Sequence, residues 1–314
     1  MGKKISVIGA GNVGSAVAYT LAMQYEDIEE LLLIDINEKK AVSEALDIEQ
    51  STASRAPICV RAGKYADAAG SDFVVITSGI GRRADQSRLD LIQTNVNIMK
   101  QITPEIVKAA PNAKYIIVSN PVDITTYVFL KLSGLPERQV IGTGTLLDTA
   151  RLQCALKSYS QTDSKNVQAY VLGEHGDTSF IPWSLVKISG MGYGTYSKSM
   201  KAEGKSMPDQ DQLMEYVRKS GARVISGKGS TSYAIAAVVS RLYRALTGSD
   251  DVLVPVSVMM HGEYGIEDVC ISIFARLNKD GNCGVVPIRL TTDEMRQLKS
   301  SADTLHEWTE KIEF

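Results

Sequence analysis

The first half of the chain alternates short apolar runs with longer stretches in which apolar residues recur every three or four positions. Runs such as FVVI at 73–76 contain no polar alternation, which is typical of strands buried on both faces of a sheet. Strands are predicted at 5–8, 31–34, 58–60, 73–76, 115–118 and 140–141. Helices are predicted between them at 13–24, 38–49, 89–109 and 124–132. This order predicts an α/β fold with a doubly wound parallel sheet.

The pattern changes after residue 142. A helix is predicted at 146–159, followed by mixed strand-like segments at 167–172 and 183–188 and a polar stretch at 198–212. Then come a predicted helix pair at 212–226 and 232–246, an antiparallel meander at 252–259, 269–274 and 285–288, and a closing helix at 293–312. The boundary contains no flexible linker, so we expect two tightly packed domains. These are an α/β domain at 1–142 and an α+β domain at 143–314.

Composition is that of an ordinary soluble globular protein. The 314 residues exceed one typical domain, and 44% hydrophobic with 22% charged residues suit a well-packed core. A net charge of −2 argues against nucleic acid as the main partner, because no excess of cations exists to neutralise phosphates. The first apolar run is too short for a signal peptide or a membrane span. Four cysteines without metal-ligand spacing predict free thiols, so we expect a cytoplasmic chain without a metal.

A glycine-rich turn, GAGNVG at 9–14, follows the first predicted strand and begins the first predicted helix. Gly9 permits a tight turn, Gly11 lets the backbone approach a pyrophosphate, and Gly14 lets the helix pack on the strand. The helix N-terminus offers unpaired N–H groups and a positive dipole end to phosphates. The cofactor-binding residues predicted in this turn are Gly9, Gly11, Asn12, Val13 and Gly14.

Asp35 ends the second predicted strand, 21 residues after Gly14. A carboxylate at this place accepts hydrogen bonds from the ribose hydroxyls of adenosine and repels a 2′-phosphate, so the pattern favours NAD over NADP. A glycine turn followed by a helix-capping aspartate is the structural alternative, and FAD or another adenine nucleotide stays open from this motif alone. We therefore predict that residues 1–142 form a Rossmann domain that binds an adenine nucleotide, with NAD favoured over NADP.

The run GEHGD at 173–177 contains one of only three histidines in the chain. Small glycines near His175 leave room for a ligand rather than for core packing. Imidazole titrates near neutrality, so it can give and take a proton during carbonyl reduction. We interpret His306 as a solvated residue of the closing helix and His261 as a structural residue before a glycine turn. His175 is therefore the candidate acid or base.

Five motifs occur in the order in which they occur in the L-lactate and malate dehydrogenases, and the chain resembles that family from the glycine turn to the closing helix. They are GAGNVG at 9–14, SNPVD at 119–123, GTGTLLDTAR at 142–151, GEHGD at 173–177 and STSYA at 230–234. The resemblance implies an enzyme that transfers a hydride between NAD and a small L-2-hydroxy acid. It also implies a homo-oligomer, either a tetramer or a dimer.

The resemblance implies a role for each matching polar residue. His175 would protonate the carbonyl oxygen, and Asp148 would accept a hydrogen bond from its other ring nitrogen. Arg151 would hold the substrate carboxylate through two parallel hydrogen bonds. Arg88, on the loop after the fourth strand, would polarise the carbonyl, and Asn120 would orient the substrate beside the nicotinamide. Without the resemblance, Asp148 would be a helix N-terminal aspartate and both arginines solvated surface residues.

The segment SGIGRRADQSR at 78–88 is interpreted as a lid over the site, because Gly79 and Gly81 precede a charged and polar stretch. Members of the family commonly carry a Pro-Gly pair here, which this chain lacks, so the geometry of closure stays open. On the cofactor side the resemblance adds Gly79, Val118 and Asn120.

Two residues favour different substrates. Arg82, six residues before Arg88, occupies the position that faces the variable end of the substrate in this family, and an arginine there suits the second carboxylate of oxaloacetate. Enclosing it unpaired beside the methyl of pyruvate would cost about 1–3 kcal/mol. Thr231 matches a threonine that lactate dehydrogenases place beside the substrate, and FIPWS at 180–184 is also of the lactate type. We favour L-lactate and pyruvate, with malate second and a branched 2-hydroxy acid third.

Two hypotheses of other classes remain. One is a protein that senses NAD without catalysis, and the other is an NAD-using hydrolase. A pure sensor would have no need of the acid, base and arginines placed above. A hydrolase is not supported, because the sequence has neither a metal-ligand cluster nor paired carboxylates.

Overall fold

Six parallel strands make up two thirds of a nine-stranded sheet. The structure is a computed structural model that describes residues 2–55, 57–81 and 87–313. These strands are β1 Lys3–Ile8, β2 Ile28–Ile34, β3 Cys59–Ala62, β4 Phe73–Ile76, β5 Lys114–Ile117 and β6 Val140–Gly142. Their order across the sheet is β3-β2-β1-β4-β5-β6, the doubly wound Rossmann order. The prediction of a doubly wound α/β fold is confirmed.

Four helices connect these strands and flank the sheet. They are α1 Asn12–Gln24, α2 Glu38–Ser51, α3 Arg88–Ala109 and α4 Val122–Ser133. Local chemistry explains where two of them begin: Asn37 accepts a hydrogen bond from the N–H of Lys40 at the start of α2, and Ser87 with Asp90 forms a capping box at the start of α3. The apolar strands are buried because helices cover the sheet, as the lack of alternation predicted.

The second half begins with α5 and adds two antiparallel arrangements. Its helices are α5 Leu146–Ser160, α6 Tyr193–Ala202, α7 Gln210–Lys228, α8 Tyr233–Thr247 and α9 Thr292–Thr309. The strands β7 Val167–Gln168, β8 Lys187–Ile188 and β9 Met191–Gly192 form a small sheet of their own. The strands β10 Val252–His261, β11 Glu267–Asn278 and β12 Gly281–Val285 pair antiparallel, and β10 joins β6. The large sheet is therefore mixed.

Four predicted segments differ from the observed elements. The third meander strand is Gly281–Val285 instead of 285–288, because Pro287 lacks an N–H and cannot continue the ladder. The strand-like segments at 167–172 and 183–188 are strands only at β7 and β8. The polar stretch at 198–212 begins inside α6, a helix that buries only Tyr193 and Met200 and so carries little apolar periodicity.

The fold brings several chain segments to one edge of the large sheet. The carboxyl ends of β1, β4 and β5 continue there into the segments that follow Ile8, Ile76 and Ile117. Backbone hydrogen bonds between Gly173 and Ser272 of β11, at 2.9 and 3.2 Å, hold the GEHGD segment against the sheet. This edge is where doubly wound folds bind their ligands.

Three further findings concern the described residues. None of the helices in the described ranges is long and apolar enough to cross a membrane. Within the same ranges, no group of three or more His, Cys, Asp or Glu residues could hold a metal ion. The four cysteines are free, and only Cys270 is buried.

Candidate active site

The glycine turn at 9–14 is tight at its two ends and open in the middle. Gly9 has a φ of +100°, which side chains disfavour. A Cβ on Gly14 would lie 1.8 Å from the carbonyl oxygen of Gly9, so only glycine lets α1 start this close to β1. At Gly11 the φ is −79°, and no described atom lies within 4 Å of a Cβ built there. Open space therefore lies beside Gly11 at the N-terminus of α1.

The surroundings of this turn fit an adenine dinucleotide. Among the described residues no side chain caps α1, so the N–H groups of Asn12 and Val13 remain for an anion such as a pyrophosphate. Asp35 accepts hydrogen bonds from the N–H groups of Ala10 and Asn37 at 2.7 and 2.8 Å. This carboxylate, which can also accept bonds from ribose hydroxyls, therefore lies beside the glycine turn.

Three polar side chains meet where α5 faces the GEHGD segment. Asp148 and Arg151 share a face of α5, and Nη1 of Arg151 donates to Oδ1 of Asp148 at 2.8 Å. Nδ1 of His175 lies 2.5 Å from Oδ2 of the same carboxylate. The side chain of His175 is 22% exposed, against 15% for Arg151 and 7% for Asp148, so His175 is the most exposed of the three. In the described part of the chain, Nε2 of His175 has no hydrogen-bond partner and is the nitrogen that can meet a ligand.

The charges in this cluster shift two pKa values in opposite directions. Burial alone would lower the pKa of His175, but the charge of Asp148 and the hydrogen bond to it outweigh burial and raise that pKa. Burial would raise the pKa of Asp148, but His175 and Arg151 outweigh it and hold that pKa below its ordinary value. Asp148 is therefore ionised at neutral pH and accepts the Nδ1–H of His175. The proton that His175 can exchange is then the one on Nε2.

The main chain around His175 is tied to two further helices. Its N–H donates to Oδ2 of Asp123 in α4 at 2.7 Å. The N–H of Glu174 donates to Oγ of Ser301 in α9 at 2.6 Å. These bonds, with those between Gly173 and β11, fix the backbone on which the imidazole is carried.

Arg88 lies at the first residue of α3 instead of on the loop before it, because the helix cap lies at the preceding residue. Its guanidinium pairs with the carboxylate of Glu174, which is buried, and with that of Asp177 at 3.3 Å. It also lies 5.2 Å from the ring centroid of Trp308. The structure therefore brings Arg88 to the two acidic residues on either side of His175.

Asn95 of α3, which is 1% exposed, joins two segments at the sheet edge. Its side chain accepts from the N–H of Ile80 at 2.9 Å and donates to the carbonyl of Asn120 at 2.7 Å. A Cβ on Gly79 would lie 3.2 Å from Oδ1 of Asn95, so this glycine packs closely against the amide. Val118 and Asn120 directly follow β5, and the side chain of Asn120 is exposed at the edge.

The turn between α7 and α8 also reaches this edge. Nδ2 of Asn12 donates to Oγ of Ser230 at 3.0 Å, which links the glycine turn to this second turn. Oγ1 of Thr231 is buried and has no hydrogen-bond partner among the described residues. Burying a hydroxyl without a partner costs about 1–3 kcal/mol, a penalty that a polar ligand group would remove.

Three residues singled out in the sequence are not part of this cluster as described. Arg82, the predicted specificity residue, lies outside the described residues. His261 is 60% exposed and pairs with Glu137 at 2.8 Å. His306 donates from Nε2 to the carbonyl of Glu267 at 2.9 Å. Neither of these two histidines contacts the cluster around His175.

Four residues that sequence analysis did not single out belong to this region: Asp123, Glu174, Asn95 and Trp308. Asp123 carried a usable signal, because a carboxylate at the start of an otherwise apolar helix must be solvated or bound. Glu174 adjoins the candidate histidine and could have been included on that ground. Asn95 and Trp308 carry no local signal, since their helices are amphipathic and both residues suit them.

Comparisons with known proteins cover the chain almost completely. The sequence model for the NAD binding domain of lactate/malate dehydrogenase matches residues 3–142, and that for the alpha/beta C-terminal domain matches residues 145–313. An L-lactate dehydrogenase of Clostridium perfringens is 39% identical over 302 residues, which cover 96% of this chain and 95% of the relative. The crystal structure of MGS-M5, a lactate dehydrogenase from a deep-sea metagenome library, is similar with a TM-score of 0.93, 36% identity and coverage of 99% and 98%. The structure of malate dehydrogenase from Archaeoglobus fulgidus with NADH has a TM-score of 0.86, 33% identity and coverage of 99% and 100%.

Proposed function

Because this chain belongs to the lactate/malate dehydrogenase family, we propose that it interconverts pyruvate and L-lactate with NAD as the hydride carrier. The observation that carries the proposal is the contact of His175 with Asp148, which also holds Arg151. A 2-oxo acid needs a proton donor for its carbonyl oxygen and a cation for its carboxylate, and this cluster supplies both. We assign NAD to the domain at 1–142, and the acid and base and the carboxylate-binding arginine to the domain at 143–314.

In this proposal His175 is the acid and base. The bound cofactor would supply the hydride to the substrate carbon as NADH and accept it from that carbon as NAD⁺. In the reducing direction the imidazolium donates its Nε2 proton to the oxygen of the 2-oxo acid, and in the other direction the neutral ring accepts the hydroxyl proton. Asp148 keeps the Nδ1 proton in place, which fixes the tautomer and stabilises the imidazolium.

The other polar residues bind and polarise the substrate. Arg151 holds the substrate carboxylate with the guanidinium N–H groups that do not bond to Asp148. Asn120 orients the substrate oxygen, and Thr231 contributes its buried hydroxyl, which lacks a partner among the described residues. Arg88 polarises the carbonyl once its guanidinium leaves the carboxylate of Glu174.

The cofactor-binding residues follow from the fit described above. The N–H groups at Asn12 and Val13 and the space beside Gly11 would hold the pyrophosphate, and Asp35 would hold the adenosine ribose. Gly9 and Gly14 keep the turn tight. On the nicotinamide side the proposal places Gly79, Val118 and Asn120.

Gly11→Ala should fold like the parent chain and bind NADH about tenfold or more weakly, because its methyl would occupy the space that the pyrophosphate needs. Its free energy of unfolding should change by less than about 1 kcal/mol. Gly14→Ala should instead lose about 3 kcal/mol or more of stability, because its Cβ overlaps Gly9. Fluorescence titration with NADH and denaturant unfolding measure both quantities.

A matched control is Gly194→Ala, since no described atom lies within 4 Å of a Cβ at Gly194 either. This variant should bind NADH as the parent does. NADH binding by Gly11→Ala with the parent's affinity would contradict the placement of the pyrophosphate at this turn.

Malate dehydrogenase activity is the second candidate function, and Arg82 in the sequence is the observation that favours it. We expect pyruvate to exceed oxaloacetate in kcat/KM by about tenfold or more when initial rates of NADH oxidation are compared. Arg82→Gln should then change pyruvate reduction little. The neighbouring Arg83→Gln is the matched control for loss of one positive charge.

The opposite result would reassign the substrate. A preference for oxaloacetate that is lost in Arg82→Gln and kept in Arg83→Gln would make Arg82 the specificity residue and the chain a malate dehydrogenase. Turnover with neither acid would point to a branched 2-oxo acid. NADH binding without turnover of any 2-oxo acid would support the sensor hypothesis instead.

We further propose that the enzyme is cytoplasmic and works as a homo-oligomer, a tetramer or a dimer. Four free cysteines support a reducing compartment. The exposed apolar side chains of Tyr19 on α1 and of Val42 and Leu46 on α2 support an interface, because such side chains gain from being covered.

A further inference from the structure

Asp123 is a buried carboxylate whose role the proposed mechanism leaves open. It lies in the first turn of α4 and is 2% exposed. Its Oδ2 accepts the backbone N–H of His175 at 2.7 Å, and its Oδ1 is buried without a hydrogen-bond partner in the described part of the chain. A buried carboxylate that belongs to none of the salt bridges in the described part of the chain is costly, so its presence beside His175 requires an explanation.

We propose that Asp123 is a positioning residue for His175, which fixes the main chain that carries the imidazole and adds a second negative charge that favours the imidazolium. The inference rests on the proposed function, in which His175 is the acid and base. It assigns two separable contributions to one side chain. The acceptor oxygen holds the backbone, and the charge acts on the ring through space.

The groups around Asp123 show why its charge acts on the histidine. The uncharged hydroxyl of Ser257 in β10 lowers the pKa of Asp123 by hydrogen bonding. Burial keeps the thiol of Cys270 in β11 neutral by raising its pKa. Glu174 adds a negative charge that opposes the ionisation of Asp123, while His175 favours it. On the far side of the ring are Asp148, which raises the pKa of His175, and Arg151, which lowers it; the negative charge of Asp123 raises it too. Among the groups that shift the pKa of Asp123, His175 is the cation, and Arg88 beside it is paired with Glu174 and Asp177.

The charge of Asp123 carries a cost in stability that a neutral side chain would avoid. Burial raises the pKa of Asp123 to about 6, from an ordinary value of 3.8. Between these two values the folded chain binds the proton and the unfolded chain does not, so stability falls as pH rises through this window and stays lower above it. An asparagine would offer the same carbonyl acceptor without this cost. The charge itself is therefore the feature that needs a function.

The test separates the charge from the hydrogen bond. Asp123→Asn keeps an acceptor for the N–H of His175 and removes the charge, whereas Asp123→Ala removes both. The imidazole pKa values are measured by NMR titration of the enzyme without cofactor, and the His175 signal is assigned from its loss in His175→Gln. His261, whose pKa is raised by Glu137, is the internal reference because it lies outside this cluster.

We expect Asp123→Asn to lower the pKa of His175 by roughly half to one pH unit and to leave that of His261 unchanged. The high-pH limit of kcat/KM for reduction of the 2-oxo acid should move to lower pH by the same amount. The melting temperature of Asp123→Asn should exceed that of the parent, with a gain that grows between pH 4 and about 6 and is constant above it. Asp123→Ala should lower kcat about tenfold further than Asp123→Asn, because the backbone N–H loses its acceptor.

Glu294→Gln is the matched control, since Glu294 is another buried carboxylate that accepts backbone N–H groups, at Ser184 and Thr291. It should lower stability and leave the pKa of His175 and the pH profile unchanged. If Asp123→Asn also leaves the pKa of His175 at the parent value, Asp123 is a structural residue and the proposal is wrong. If the pKa moves but the enzyme reduces no 2-oxo acid, the coupling stands and the proposed function fails.

Discussion

Replacing His175 by glutamine should lower kcat/KM for pyruvate reduction about 10³-fold, because no other described group near Arg151 can deliver a proton to the carbonyl oxygen. The loss should fall mainly on kcat, since Arg151 still binds the carboxylate. NADH affinity should stay at the parent value, as His175 contacts none of the residues assigned to the dinucleotide. Steady-state rates and an NADH titration measure the two effects.

The pH dependence of the parent enzyme follows from the same residue. Asp148 raises the pKa of His175 above its ordinary value of 6.5. Reduction requires the imidazolium, so kcat/KM for pyruvate should be full below this raised pKa and fall as pH rises through it. The high-pH limit should therefore lie above 6.5.

His306→Gln is the matched control for a histidine lost elsewhere, because its ring hydrogen-bonds to the carbonyl of Glu267, away from the cluster around His175. It should turn over at the parent rate with the parent pH profile. A rate for His175→Gln within about threefold of the parent would rule out His175 as the acid, whose contribution should be at least about 10²-fold.

Replacing Arg151 by lysine should lower kcat/KM about 10²- to 10³-fold, chiefly by raising KM for pyruvate. Lysine keeps the charge but cannot offer two parallel N–H groups to a carboxylate. The proposed contact with the substrate carboxylate is shielded from water, because the side chain of Arg151 is only 15% exposed. Loss of a shielded charged hydrogen bond typically costs about 2–5 kcal/mol, which covers this range.

A second readout distinguishes substrate binding from a general disturbance of the cluster. Arg151 helps to hold the pKa of Asp148 low, and its positive charge lowers the pKa of His175. Lysine keeps that charge, so the pH profile of Arg151→Lys should match that of the parent while KM rises. Arg276 is an exposed arginine paired with Asp251. Arg276→Lys is therefore the control and should leave both KM and the pH profile unchanged. An unchanged KM for pyruvate in Arg151→Lys would contradict the proposed carboxylate site.

The pairing of Arg88 bears on the role proposed for this residue. In the structure Arg88 binds Glu174 and Asp177, which stand on either side of His175. A substrate carbonyl must therefore compete with two carboxylates for this guanidinium. In the proposed mechanism, Arg88 polarises the carbonyl only after it has released these carboxylates.

Local sequence patterns determined the α/β half of the fold and the dinucleotide turn. The parallel strands were predictable because strands buried on both faces are apolar throughout. Each can therefore be identified from its own residues, without knowledge of the strand it pairs with. The turn was predictable because the need for glycine at Gly9 and Gly14 comes from backbone conformation and close packing within a few residues. The same local logic failed at β12, where an apolar run containing Pro287 suggested a strand just beyond the real one.

The sequence by itself also singled out His175, from the small residues near it and the scarcity of histidine. Its partners were decided by tertiary structure. Asp148 is 27 residues away along the chain, and Asp123 is 52 residues away. The family resemblance implied the role of Asp148 but gave none to Asp123. Local sequence patterns indicate conformation and burial. Contacts between distant side chains form only when the packed helices and the sheet bring them within hydrogen-bond distance, and the pKa shifts follow from those contacts.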